Sequence, residues 1–164
     1  MRAFIGGGII LVLAVSLAMA GGSPTKEDIP KYIKTLSATS AKSGDRVRAA
    51  DMIGKRGNIK AKDVEDAIDP LRKVASGDKD AAVRKAAMAA LGSIAPEDSE
   101  TVPLLISILK TDPNKDIKFA SINALARFGT RAKPALPAIN EFAKTLDKKE
   151  KRTLKDVNKA IQGN

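Results

Sequence analysis

The chain contains no cysteine, no histidine and no tryptophan, and aromatic residues make up only 3% of it. Without thiol or imidazole there is no disulfide framework, no Cys or His zinc site and no Ser-His-Asp or Cys-His nucleophile. Any reaction would have to run on carboxylates, Lys, Arg, Tyr32 and hydroxyls. Strand patterning is also missing: no segment alternates apolar and polar residues for long enough to read as a strand. What is abundant is charge. Among 164 residues, 29 Lys plus Arg stand against 19 Asp plus Glu, a net +10.

The first twenty residues read as an export signal. Met1 and Arg2 supply a positive start, an apolar run from Phe4 to Leu17 is broken only by Gly6, Gly7, Gly8 and Ser16, and Ala18-Met19-Ala20 places small residues where a signal peptidase reads. Cleavage is expected between Ala20 and Gly21, with an uncleaved anchor as the other reading. The run falls short of the roughly 20 residues a spanning helix needs. A periplasmic or extracellular protein is expected, with 21–26 as a short linker and 27–162 as one domain. The mature chain of 144 residues carries 28 basic and 19 acidic side chains, a net +9.

That domain repeats. Val83, Ala86, Ala87, Ala90, Leu91 and Ile94 share one face of a helix at 3.6 residues per turn. Ile117, Ala120, Ser121, Ala124, Leu125 and Phe128 reproduce that face 34 residues later, with Ser121 as the polar departure. Pro30, Pro70, Pro103 and Pro137 follow a similar period, each ahead of an apolar helical segment, as proline in a first turn permits. Pro70 leaves two readings: a helix from Asp63 that kinks, or one that starts afresh at Pro70. Polar turns at 76–80 and 111–116 separate the two helices of a unit. Four helical hairpins follow, near 27–57, 61–95, 99–129 and 133–162. Stacked side by side they form an all-α solenoid that buries Val83, Leu91, Leu105, Ile108, Leu125 and Phe128, with irregular outer units as caps.

The run Asp78, Val83, Arg84, Ala87, Ala90, Leu91 and Gly92, echoed by Asp112, Ile117, Lys118, Ser121, Ala124 and Leu125, resembles a HEAT repeat of the short type found in phycobilisome lyases. The first unit, Asp45-Arg46-Val47-Arg48-Ala49-Ala50-Asp51-Met52-Ile53-Gly54, fits only if two residues are deleted relative to the second. The resemblance implies a ladder between neighbouring repeats, at Asp78 with Arg84 and Asp112 with Lys118. It also admits enzymes, which the residues disfavour. Deoxyhypusine hydroxylases need His-Glu pairs for iron, bilin lyases act where phycobiliproteins are made, and HEAT-like DNA glycosylases set aromatics in a basic surface.

Other constellations reduce to architecture. Asp112, Asn114 and Asp116 open like a calcium loop, but Ile117 and Asn123 replace the required Gly and Glu. The acidic clusters Asp63, Glu65, Asp66, Asp69 and Glu97, Asp98, Glu100 sit at helix starts, where the dipole favours them. No catalytic, cofactor or metal residues are expected. The leading expectation is a non-catalytic scaffold or adaptor, monomeric, binding another protein through its second helices, with Lys85, Met88, Phe119, Ile122 and Asn123 as the candidate surface. The alternative is a basic binder of an acidic polymer or anionic membrane surface, drawn by Arg46, Arg48, Lys55, Arg56, Lys60 and Lys62 or by Lys148, Lys149, Lys151 and Arg152. Nucleic acid is not expected, and an unrecognised lyase-like enzyme ranks last.

Overall fold

A computed structural model of the chain describes residues 23–163. The expected signal segment, with Ala18, Ala20 and Gly21, lies outside the described residues. Within them the chain forms helices α1 (Ile29–Ser37), α2 (Ser43–Ile59), α3 (Ile68–Gly77), α4 (Ala81–Ile94), α5 (Thr101–Thr111), α6 (Lys115–Arg127), α7 (Leu136–Lys144) and α8 (Lys148–Gln162). Short 3-10 turns precede α1, α3 and α7, and no strand occurs among the described residues. The helices pair as α1/α2, α3/α4, α5/α6 and α7/α8, and each pair stacks on the next. The fold is an all-α solenoid.

Its elements begin where local chemistry dictates. Pro30 and Pro137 are the second residues of α1 and α7, and Pro70 and Pro103 the third of α3 and α5. A first turn has no intrahelical acceptor for its amides, so proline loses nothing there. Pro70 follows neither expected course: a 3-10 turn over Ala61–Ala67 runs into α3, which starts at Ile68. The inter-helix turns are capped by their own side chains. Asp80 accepts from the Ala82 amide and Asn114 from those of Asp116 and Ile117. Asp78 and Asp112 accept from the amides of Asp80 and Asn114, both at 2.9 Å or less. The calcium-like start at Asp112 is thus a helix cap.

Val83, Leu91, Leu105, Ile108, Leu125 and Phe128 are buried. Ser121 is buried too, and its hydroxyl donates to the Leu105 carbonyl at 2.5 Å, which joins α6 to α5 and satisfies the polar departure in the stripe. Second helices lie between two neighbours, so they bury more than one face. Met88 and Ile122, expected on a partner surface, are fully buried as a result. Both belong to the core.

The stack also corrects the first unit. Arg46 and Gly54 stand 38 residues before Arg84 and Gly92, with Ala49, Ala50 and Ile53 buried where Ala87, Met88 and Leu91 are buried. No deletion is needed. Val47-Arg48 resembles Val83-Arg84 locally, but the guanidinium that plays the part of Arg84 belongs to Arg46. No helix among the described residues is long and apolar enough to cross a membrane.

Candidate functional site

Second helices approach one another more closely than first helices do, because their contacts are made by residues without bulk. A Cβ on Gly54 would sit 2.9 Å from the Ala90 Cα, and one on Gly92 would sit 3.0 Å from the Ala124 Cα. Backbones therefore touch across α2/α4 and α4/α6. The solvent side of the same row is correspondingly bare, with no side chain longer than serine at Gly54, Ala86, Ala89, Ser93, Ala120 and Ala124.

Over that floor runs a groove. A cavity of about 550 Å³ lies between α2 and α4, and one of about 270 Å³ between α4 and α6, sharing Ala89, Ser93 and Arg127. A third, of about 300 Å³, continues from Lys85 and Asn123 to Thr153 and Leu154 of α8. The rim carries Arg48, Lys55, Lys85 and Arg127 against Asp51 and Asp116. Lys55 pairs with Asp51 at 2.8 Å. Positive charge is left in excess around a small-residue floor.

Of the residues proposed from sequence, Lys85 and Asn123 line this groove and are exposed. Phe119 lines its α8 end, but its ring also meets Phe142 edge-on at 5.4 Å. Met88 and Ile122 are excluded by burial. Arg48 and Lys55, expected only as part of a basic region that draws an acidic polymer or membrane, belong to the groove together with Ala89, Ser93 and Arg127, for which the sequence reading gives no surface role. Two glycines at matching positions, Gly54 and Gly92, were the available signal.

The stack is fastened outside the groove by a ladder in which each turn carboxylate pairs with the arginine of the preceding unit, while the expected Asp78–Arg84 pair meets only through the Asp78 carbonyl. Arg46, on α2, pairs with Asp78 in the next turn, and both side chains are buried. Arg46 Nε also donates to the Leu36 carbonyl at 2.9 Å. Arg84 repeats this, donating to the Asp78 carbonyl at 2.8 Å and pairing with the Asp112 carboxylate at 3.3 Å. Each arginine thus ties its own hairpin to the next. Lys118 turns elsewhere, its ammonium 3.4 Å from the Lys110 carbonyl and 5.7 Å from the centre of the Phe142 ring. Burial works to raise the pKa of Asp78, but hydrogen bonds from the Arg46 guanidinium and the Asp80 amide, with the Arg46 charge, hold it below the ordinary value. Asp98 is also held low: burial opposes, while the Thr101 amide and hydroxyl, the Glu100 amide and Arg72 prevail.

The acidic clusters have structural partners. Asp63 is buried and paired with Arg56, and Arg72 gathers Asp69, Asp98 and Glu100. Among the described residues no group of acidic side chains is arranged to hold a metal ion.

A family model of HEAT repeats matches residues 29–126, more than half of the chain. The chain belongs to the HEAT repeat family. No curated protein matches it. The HEAT match spans α1 to α5 and all but the last residue of α6, which are the elements that build the two tight joints and most of the groove. HEAT repeats generally mediate protein–protein interaction.

Proposed function

We propose that this HEAT-repeat protein is an exported, non-catalytic scaffold that holds a partner protein in the groove across α2, α4 and α6. The observation that carries the reading is the groove itself: an uninterrupted small-residue floor with a cationic rim, spanning three repeats. A repeat array offers an extended surface in place of a deep pocket, and recognition is what such a surface does well. Export rests on the residues from Met1 to Ala20.

The absence of cysteine makes a direct test possible. A single Ser93→Cys carries a photocrosslinker onto the groove floor, and Ser107→Cys carries it onto the exposed side of α5. Adducts with one protein from the native compartment are expected at position 93 and suppressed by Ala89→Trp, which fills the floor. Equal adducts at both positions would remove the assignment.

A second reading rests on α8. Lys148, Arg152, Lys155 and Lys159 fall within one exposed stripe turned away from the buried Leu154 and Ile161, with Lys151 at its edge. That stripe suits an anionic polymer or lipid surface. Binding led by it weakens steeply with salt, whereas groove binding that depends on packing changes less.

A further inference from the structure

We propose that the groove's occupant is an acidic α-helix of the partner protein. The proposal rests on the reading of the groove as the binding surface and adds the chemistry of what enters it.

Charge gives the sign. Lys55 is engaged by Asp51, while among the described residues Lys85 and Arg127 form no ion pair; Arg127 borders the cavities on either side of α4, and Lys85 borders those between α4 and α6 and toward α8. An occupant with carboxylates at its edges meets these cations at the rim, where they steer its approach.

Backbone chemistry gives the conformation. The floor is made of helices whose amides and carbonyls are bonded internally, and its side chains are mostly methyl groups. An extended peptide would lay its own amides and carbonyls on a surface with few partners, at a cost for every group left unpaired. A helix satisfies its backbone internally and needs only close packing, which a floor of Gly, Ala and Ser permits. Size agrees. Crossing three helices spaced about 8 to 10 Å apart takes roughly 20 Å, about 13 residues of helix.

The remaining features argue against other polyanions. Single-stranded nucleic acids need aromatic platforms for their bases, and the cavities over α2, α4 and α6 have none. Phe119 stands only at the α8 end, with its ring already against Phe142. The densest cationic stripe, on α8, lies on a different face of that helix from Thr153 and Leu154, which line the groove's end, so unselective attraction would be read there and not at Lys85 and Arg127.

The test titrates the full mature chain, labelled for amide resonances, with a synthetic Glu/Ala helix of about 16 residues. Two control peptides exchange Glu for Lys or interrupt the same composition with proline. Shifts are expected at Ala86, Ala89, Ser93 and Asn123. Lys85→Glu with Arg127→Glu, both at exposed positions, should weaken the acidic helix by about tenfold or more, while Lys151→Glu with Lys155→Glu leaves it nearly unchanged. The Lys peptide should not bind, and the proline-interrupted one should bind more weakly. Shifts centred on α8, equal binding of the interrupted peptide, or tighter binding of an oligonucleotide or of anionic vesicles would overturn the proposal. If Ser93→Cys captures a partner while the acidic helix fails to bind, the groove stays a binding surface and the acidic helix is wrong. If Ser93→Cys captures nothing in preference to Ser107→Cys, both readings fall.

Discussion

The two inner joints of the stack and the last one are built on different principles. Between the first, second and third hairpins, glycine meets alanine backbone to backbone, and an arginine anchored in one hairpin pairs with an aspartate of the next. Between the third and fourth, Ala126 occupies the place of Gly92, and beside the shared aliphatic core the contact includes Phe119 against Phe142, Lys118 over the same ring and a half-exposed Lys115–Glu150 pair at 2.5 Å. Small residues bring helices together and leave a bare surface behind them. At the last joint the row of small residues gives way to the Phe119 and Phe142 rings, and α6 and α8 lie less closely together than α4 and α6. The groove is therefore a product of how the inner joints are closed.

Three substitutions probe this contrast. The largest effect is expected from Asp78→Ala, which leaves the Arg46 guanidinium buried without its carboxylate and should cost about 3 to 5 kcal/mol by denaturant unfolding at neutral pH. The same experiment across pH checks the cause. The folded pKa of Asp78 is depressed, so its contribution is whole above the unfolded value of about 3.9 and is lost as pH falls through the folded one. The gap between wild type and variant should close on the acid side, and a constant gap would contradict the ion-pair account. Next is Gly54→Val, whose Cβ has no room against the Ala90 backbone; overpacking should cost about 1 to 3 kcal/mol and disturb the groove. Smallest is Phe142→Leu at the last joint, which forfeits an edge-to-face pair worth about 0.5 to 1.5 kcal/mol. If it destabilised as much as Asp78→Ala, the distinction between the joints would be lost.

Much of the fold was legible because helical period and proline placement are properties of short stretches. Leu91 and Leu125 announce their burial through their neighbours three and four residues away. Residues whose role depends on a neighbouring repeat were harder to place. Met88 and Ile122 lie off the main stripe, and only the flanking helices make them interior. Arg46 is hard to place because Val47-Arg48 imitates Val83-Arg84 locally, while the partner that decides, Asp78, is 32 residues away. The groove floor was hidden for another reason: alanine is a strong helix former in any context, so Ala86, Ala89 and Ala120 read as propensity before they read as surface.

The close row of second helices has a mechanical meaning. Material that is pinned along one edge flexes about that edge, so bending concentrates in the looser first helices while the glycine-lined row works as the neutral axis. Fanning of the first-helix side is therefore expected to cost less than separating the glycine-lined row. A guest lying on that seam would feel little of the movement.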